Sequence, residues 1–123
     1  MKDRSKDGLS KAVEQLRDMI LESYADPYFD LEKSIRAIPL HYDYLRKLFK
    51  KEMGRSPLEY LTDLRMNRAR ELLLDGTRKL PISEVAEGCG FSDALYFSRV
   101  FKKRFGSSPT QFRQSAIRSK VTQ

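Results

Sequence analysis

The sequence predicts an all-α fold in which two helix-turn-helix units are joined by a long linker helix, with about seven helices in all. Three observations support this prediction. Apolar residues recur at three- and four-residue intervals, the period of an amphipathic helix. No segment alternates apolar and polar residues between hairpin turns, so no strand is predicted. One stretch of the chain is also repeated in related form.

The repeat consists of YLRKLFKKEMGRSPLEYL at residues 44–61 and YFSRVFKKRFGSSPTQFR at residues 96–113. The offset between the two copies is 52 residues, and seven of the eighteen positions are identical. Most of the other positions keep an apolar residue opposite an apolar one or a basic residue opposite a basic one. The duplication therefore predicts two copies of one structural unit.

The beginning of the chain predicts a tail followed by two helices. Residues 1–8 have no apolar period and predict a disordered tail. The apolar stripe from Leu9 to Tyr24 predicts the first helix, which Pro27 breaks. Asp30 can cap a second, short helix, which Pro39 ends. The apolar residues of that short helix are Leu31, Ile35 and Ile38.

The first copy of the repeat predicts a helix from about Tyr42 to Met53 that stops at Gly54. The next residues, Ser56–Glu59, form a capping box with proline at the first helical position. The long helix that begins there is expected to run to about Leu74 and to end through Gly76. Its residues available for burial are Leu58, Leu61, Leu64, Ala69, Leu72 and Leu73.

The second half of the chain repeats this order of elements. It predicts a short helix near 82–87, a turn, and a helix from about Asp93 to Phe105 that Gly106 stops. Ser108, Pro109 and Gln111 repeat the cap, and the last helix is expected to reach about Ile117. The predicted division of the chain is a tail at 1–8, a first unit at 9–56, a linker helix at 57–75, a second unit at 76–118 and a tail at 119–123.

Composition and charge favour a nucleic-acid partner. The 123 residues carry a net charge of +7, with a pI near 9.6. Residues 27–123 hold nineteen Lys and Arg against eleven Asp and Glu, a balance of +8. A basic domain of this size attracts polyanions, above all nucleic acid. The single cysteine, the absence of a membrane-length apolar run and a polar N-terminus predict a cytoplasmic protein without a membrane segment.

The longer helix of each unit is expected to have an apolar face and an opposite basic, hydrogen-bonding face. The apolar faces are Leu45, Leu48 and Phe49 in the first unit, and Phe97, Val100, Phe101 and Phe105 in the second. The outward faces are Asp43, Arg46, Lys47 and Lys50, and Leu95, Ser98, Arg99 and Lys102. A helix about 10–12 Å across fits the major groove of DNA, which is about 12 Å wide.

The paired lysines of the repeat are better suited to phosphates than to bases, because such contacts give affinity without sequence information. This predicts phosphate contacts by Lys50, Lys51, Lys102, Lys103 and Arg104. A phenylalanine followed by two lysines is more often a core aromatic beside solvated charges. Its recurrence at one phase of a duplicated unit favours nucleic-acid binding instead.

A second hypothesis is a basic helical interaction module that binds an acidic protein partner or RNA. RNA readers expose stacking aromatic residues, whereas the phenylalanines here fall at core positions, which argues against RNA. The only histidine, His41, has no companion at metal-ligand spacing. Cys89 lies between two glycines, where a small buried residue is expected rather than a reactive thiol. The carboxylates are scattered among basic residues, so we predict no enzymatic activity, no metal and no cofactor.

The segments 44–76 and 82–113 resemble the DNA-binding domain of AraC/XylS-type transcription regulators, and the resemblance covers about residues 10–115. It implies a homeodomain-like seven-helix domain whose two recognition helices enter adjacent major grooves of double-stranded DNA and regulate transcription. It implies base contacts by Tyr42, Asp43, Arg46 and Lys47 in the first unit, and by Asp93, Leu95, Ser98 and Arg99 in the second.

The two units match the family pattern unequally. Members usually carry a small alanine in the first short helix and a serine at the start of the next, and here Ile35 and His41 stand at those places. The second unit keeps Ala86, and Ser92 stands at its helix start. Members also usually carry a separate effector-binding, dimerisation or receiver domain. This chain is therefore expected to be the DNA-binding piece of a longer regulator, the alternative being a small regulator that acts alone. Activators of the family commonly contact RNA polymerase as well, which the resemblance implies as a further partner.

Overall fold

The computed structural model describes residues 8–121, and the side chains of residues 8–118. Within this range the chain forms seven helices and no strand, which confirms the predicted all-α fold with two helix-turn-helix units. The helices are α1 (Lys11–Ser23), α2 (Leu31–Ala37), α3 (Tyr42–Met53), α4 (Pro57–Leu74), α5 (Ile82–Gly88), α6 (Ala94–Phe105) and α7 (Pro109–Val121). None of the helices described is long and apolar enough to cross a membrane.

Most predicted helix boundaries agree with the structure to within one or two residues. The prediction for the last helix was wrong: α7 continues past Ile117 to Val121. Leu9 and Tyr24, the ends of the first apolar stripe, flank α1 rather than belong to it. Residues 1–7 and 122–123 of the predicted tails lie outside the described residues. The predicted tail at 119–123 was wrong for residues 119–121, which belong to α7.

The stop signals of the repeat act as the sequence predicts. Gly54 and Gly106 are left-handed, with φ of 80° and 81°, and their N–H groups donate to the carbonyls of Lys50 and Lys102. This conformation is one that glycine adopts without a Cβ penalty.

The predicted role of Gly76 at the end of α4 was wrong. Its φ is not positive, and the turn is instead held by the Asp75 carboxylate. One Asp75 oxygen accepts hydrogen bonds from the backbone N–H of Thr77 at 2.9 Å and from the Thr77 hydroxyl at 2.6 Å. A short acidic side chain that bonds the backbone two residues on makes such a turn without a left-handed residue.

Both capping boxes are present. Ser56 N–H donates to Glu59 Oε1 at 3.0 Å, and Glu59 N–H donates to Ser56 Oγ at 3.1 Å. In the second box, Ser108 N–H donates to Gln111 Oε1 at 3.0 Å, and Gln111 N–H donates to Ser108 Oγ at 3.1 Å. Each box satisfies two donors that the first turn of a helix would otherwise leave without partners.

The chain divides into two compact units, each with its own core. The first contains α1, α2, α3 and α4 through Leu64, while the second contains Ala25–Tyr28 and the chain from Arg65 onward. The first core is mainly aliphatic: Leu9, Val13, Leu16, Ile20, Ile35, Ile38, Leu45, Phe49 and Leu61. The finer division at residues 56, 75 and 118 stays a prediction.

Leu58 is an exception to the predicted burial of α4. It is 64% exposed, whereas Pro57 and Leu61 are buried. In the first turn of α4, Leu58 lies about 100° from Pro57 and about 60° from Leu61 around the helix axis, because each helical residue advances the side chain by about 100°.

The second core is aromatic. Phe101 lies 5.9 Å from Phe97, 4.5 Å from Phe105 and 5.3 Å from Phe112 between ring centroids. The tilted and edge-on arrangements of these rings are those that aromatic pairs favour. The remaining buried members are Met66, Ala69, Leu72, Leu73, Val85, Ala86, Cys89 and Phe91.

Cys89 is buried as predicted, and its thiol donates to the carbonyl of Ala86 at 3.3 Å. Loss of solvation on burial raises the pKa of this thiol to about 12. The loss of solvation disfavours the charged thiolate, which agrees with the expectation of a packing residue rather than a reactive thiol. Cys89 therefore serves packing in the turn between α5 and α6.

Candidate nucleic-acid interface

Each unit contains a short helix, a tight turn and a twelve-residue helix, which is the order of a helix-turn-helix. In the first unit Asp30 is the N-cap of α2, and its side chain accepts a hydrogen bond from Lys33 N–H at 3.0 Å. The turn then closes through Leu40 N–H, which donates to Ile38 O at 2.7 Å. In the second unit Phe91 N–H donates to Ala86 O at 2.8 Å. These local bonds set the direction in which α3 and α6 leave their turns.

The four residues of α3 implied by the resemblance to read bases form a connected group. Tyr42 is half-buried, and Asp43, Arg46 and Lys47 are exposed. The Arg46 guanidinium lies 5.6 Å from the centre of the Tyr42 ring and 3.9 Å from Asp43 Oδ1. Both contacts tie Arg46 to its own helix before any ligand arrives. A surface pair of this kind contributes little stability, and a better partner can displace it.

The corresponding group on α6 is arranged differently. Asp93 is the N-cap of α6, and one of its oxygens accepts hydrogen bonds from Leu95 N–H at 2.9 Å and Tyr96 N–H at 3.2 Å. The sequence had placed Ser92 at the helix start. Leu95 is 74% exposed, Ser98 is partly exposed and Arg99 is exposed. Within residues 8–121 the Arg99 side chain has no hydrogen bond or ion pair. The outward face of α6 therefore presents an apolar side chain, a hydroxyl and an arginine that is not engaged elsewhere.

The five side chains predicted to contact phosphates are all exposed: Lys50, Lys51, Lys102, Lys103 and Arg104. They occupy the last turns of α3 and α6. Positive charge there also complements the negative end of the helix dipole. Helix stabilisation and phosphate binding are therefore compatible uses of the same residues.

No group of three or more His, Cys, Asp or Glu side chains in residues 8–121 could hold a metal ion. His41 is the exposed N-cap residue of α3, and its side chain makes no capping hydrogen bond. What these two surfaces can do is present long, hydrogen-bonding side chains along a helix that fits a DNA groove.

Sequence reasoning missed three residues beside these faces. Arg36 on α2 places its guanidinium 4.5 Å from the centre of the Tyr42 ring, so Tyr42 lies near two arginines. Tyr44 and Tyr96 hold the same position in the two copies, and each is 56% exposed. Their identity at the start of the repeat was visible in the sequence, but their exposure was not. The Arg36 contact joins two helices, so the residue pattern of neither helix alone indicates it.

The chain is similar to a known protein family and to known bacterial regulators. A family model described as a helix-turn-helix domain matches residues 36–115. The arabinose operon regulatory protein of Salmonella typhimurium (strain LT2) is 40% identical over 94 residues, which cover 76% of this chain and 33% of that protein. The chain thus spans about a third of the length of this relative.

Two solved structures resemble the fold closely. The C-terminal domain of AraT, a response regulator from Geobacillus stearothermophilus, has a TM-score of 0.78 and 37% identity, covering 90% of this chain and 88% of that one. The DNA-binding domain of the global transcriptional factor AdpA, solved in complex with a target DNA, has a TM-score of 0.76 and 27% identity, with 93% and 99% coverage. With the family model and these relatives in agreement, the chain belongs to the AraC-type helix-turn-helix family of transcription regulators.

Proposed function

We propose that this chain is a sequence-specific double-stranded DNA-binding domain that regulates transcription, with α3 and α6 as its two recognition helices. The observation that carries the proposal is the outward face of α6. Leu95, Ser98 and Arg99 project there from a rigid helix, and Arg99 has no competing partner among the described residues. An arginine fork matches O6 and N7 of guanine, and an apolar side chain suits the methyl group of thymine.

The resemblance to a domain solved with its target DNA supports the same function. In a helix-turn-helix the second helix enters the major groove, and in this chain those helices are α3 and α6. The family resemblance further suggests that the two helices read neighbouring grooves, about 34 Å or ~10 base pairs apart. That spacing, like the assignment of individual base contacts, is part of the proposal.

The roles that we propose for the individual side chains follow from their chemistry. The proposed base contacts are made by Tyr42, Asp43, Arg46, Lys47, Asp93, Leu95, Ser98 and Arg99. Lys50, Lys51, Lys102, Lys103 and Arg104 would hold phosphates, which fixes register and supplies salt-dependent affinity. Because the proposed partner is double-stranded DNA and the relatives named above are bacterial, the proposal places the domain in the cytoplasm. Contact with RNA polymerase stays an expectation drawn from the family resemblance.

Selection of binding sites from random duplexes is the first test. Two half-sites about one helical turn apart would support base reading by both helices. A single short motif would limit base reading to one helix, and recovery of no motif would contradict sequence-specific binding. Competition of labelled duplex with unlabelled duplex or RNA then separates a DNA reader from a general basic module. Stronger competition by RNA would favour the module.

Substitution on the selected duplex tests the named residues. Arg99→Ala and Arg46→Ala should each cost about 1–3 kcal/mol on the selected site and lower the preference over random duplex. Lys102→Ala should weaken all duplexes alike and reduce the salt dependence of binding. Arg68 is a matched control, because it is an exposed arginine on α4 whose guanidinium pairs with Glu71 at 3.3 Å. If Arg99→Ala left the preference unchanged, its role in base reading would be wrong.

A further inference from the structure

Tyr44 and Tyr96 form a duplicated feature that the base and phosphate assignments above do not use. Each is the third residue of a twelve-residue recognition helix, α3 or α6. Each is 56% exposed, although a large aromatic side chain on a free surface has an unfavourable contact with water. Within residues 8–121 neither hydroxyl has a hydrogen-bond partner. The same residue, position and exposure therefore occur in both units without a structural use for the hydroxyl.

The position of each tyrosine around its helix indicates what it would meet in a groove. Leu45 and Phe49 mark the buried side of α3, and Lys47 lies opposite them. With about 100° per residue, Tyr44 lies ~60° to one side of Lys47, and Lys51 lies ~40° to that same side. The side of a helix in the major groove faces a phosphate backbone rather than the base edges. Tyr44 therefore shares its flank with a lysine already expected to hold phosphate.

The second unit repeats this row. Tyr96, Arg99 and Lys103 are spaced as Tyr44, Lys47 and Lys51 are. The Tyr96 ring is supported by Phe91, with 6.0 Å between ring centroids. In the first unit, Tyr44 lines an open groove together with Leu40 and Leu48. The Tyr96 ring thus has an aromatic neighbour that can hold it in place, while the Tyr44 ring borders a groove that is partly lined by leucines.

We propose that Tyr44 and Tyr96 donate hydrogen bonds from their phenolic hydroxyls to DNA phosphate oxygens, one in each half-site. The inference rests on the proposed DNA-binding function and extends it to a neutral backbone contact. Tyrosine is among the side chains that contact phosphates. Because the donor is uncharged, the contact releases no counterion, and so it adds affinity without adding salt dependence. This property separates the tyrosines from the lysines on the same flank.

Tyr44→Phe and Tyr96→Phe test the proposal, because each removes the hydroxyl and keeps the ring packing. Binding is measured on a random-sequence duplex pool and on the selected duplex, at several salt concentrations. Each variant should bind both duplexes about tenfold more weakly, as expected for a hydrogen bond to a charged group. The slope of affinity against salt and the preference for the selected duplex should not change. The double variant should lose about a hundredfold if both contacts form in one complex.

Tyr28→Phe is the matched control, because Tyr28 is 89% exposed and lies outside the recognition helices. It should bind like the unsubstituted chain. Less than a twofold effect of both Tyr44→Phe and Tyr96→Phe would overturn the proposal. Loss confined to the selected duplex would also overturn it, since that outcome assigns the tyrosines to base reading. If the unsubstituted chain bound no duplex, the proposed function itself would fail, which is a separate result.

Discussion

The helices α3 and α6 end in the same way but begin differently. Both α3 and α6 have twelve residues, stop at a left-handed glycine and are followed by a serine-proline capping box with the same hydrogen-bond lengths. At the start, however, α6 is capped by the Asp93 carboxylate, whereas the His41 side chain caps nothing. The shared end depends on a few local residues. The glycine, serine and proline are identical in the two copies, and Gln111 stands where the first copy has Glu59.

The outward faces differ as well. On α3, Arg46 contacts Tyr42 and Asp43, and Arg36 lies over the same tyrosine. On α6, Leu95 and Arg99 make no such contacts among the described residues. The duplicated helix-turn-helix unit can therefore carry two kinds of outward surface. On α3 the side chains contact one another, whereas on α6 they are open to a ligand. We expect α6 to discriminate between bases more strongly than α3.

The largest expected difference between the two units is the loss of stability when an equivalent buried phenylalanine of each core is truncated. Phe49 and Phe101 are equivalent and fully buried, but Phe49 contacts one ring, that of Tyr60, whereas Phe101 contacts three. Truncation of a buried phenylalanine to alanine costs about 3–5 kcal/mol, and each aromatic pair adds about 0.5–1.5 kcal/mol. Phe101→Ala should therefore destabilise its unit more than Phe49→Ala does.

Hydrogen exchange of the α3 and α6 amides measures the two units separately. If the alanine variants do not fold, Phe→Leu at the same two positions keeps the comparison measurable. A larger loss in α3 than in α6 would contradict the importance of the aromatic cluster.

The difference between the outward faces can be tested by exchanging equivalent cations. Arg99 and Lys47 occupy the same position in the repeat. Arg99→Lys keeps the charge and removes the planar fork, so it should cost about 1–3 kcal/mol of discrimination on the selected duplex. Lys47→Arg should shift the selected base at its half-site towards guanine.

Neither exchange should change the salt dependence of binding, because the number of positive charges is conserved. Repetition of the site selection with each variant provides the measurement. Equal effects of both exchanges on discrimination would mean that the two helices read bases alike.

The N-cap residues of α3 and α6 should differ by a smaller amount in what they contribute to the free energy of unfolding. Asp93→Ala removes a side-chain cap and should cost about 1 kcal/mol of unfolding free energy, whereas His41→Ala should cost close to nothing. His41→Asp should stabilise the first unit by supplying the missing cap. Thermal unfolding measures all three.

Asp93 also carries a proposed base contact, which Asp93→Ser can separate from its capping role. Serine caps about as well as aspartate. If Asp93→Ser preserves stability and changes the selected sequence, both roles hold. If neither quantity changes, the carboxylate serves capping alone.

Local signals made most of the fold predictable from the sequence. The glycine stops, the serine-proline boxes and the apolar periods act within a few residues, so α3, α4 and α6 could be bounded closely. The prediction that α4 ends through Gly76 was wrong because an Asp75 side chain can hold a turn just as well as a left-handed glycine. The predicted burial of Leu58 was wrong because the apolar period of α4 does not show which side of its first turn is covered. The contacts of Arg36 depend on how two helices pack, which the pattern of neither helix indicates. The capping by Asp93 was within reach of the sequence, because aspartate is a preferred N-cap residue, but Ser92 was placed at the helix start instead.

The two capping boxes should differ in their response to pH, and this is the smallest effect expected. Glu59 closes the first box and Gln111 closes the second. The hydrogen bonds from the Ser56 N–H and then from the Ser56 hydroxyl hold the pKa of Glu59 below its ordinary value of 4.5. A lowered pKa in the folded state gives stability that is present above the unfolded pKa and is lost as pH falls through the folded one. Glutamine does not titrate, so the stability that the second box contributes should not change with pH.

The stability of the unsubstituted chain relative to Glu59→Gln should therefore shrink as pH falls from neutral to below 4.5, while the stability relative to Gln111→Ala should stay constant. Urea unfolding at a series of pH values measures both differences. A difference for Glu59→Gln that does not vary with pH would show that the charge of Glu59 contributes nothing to its box.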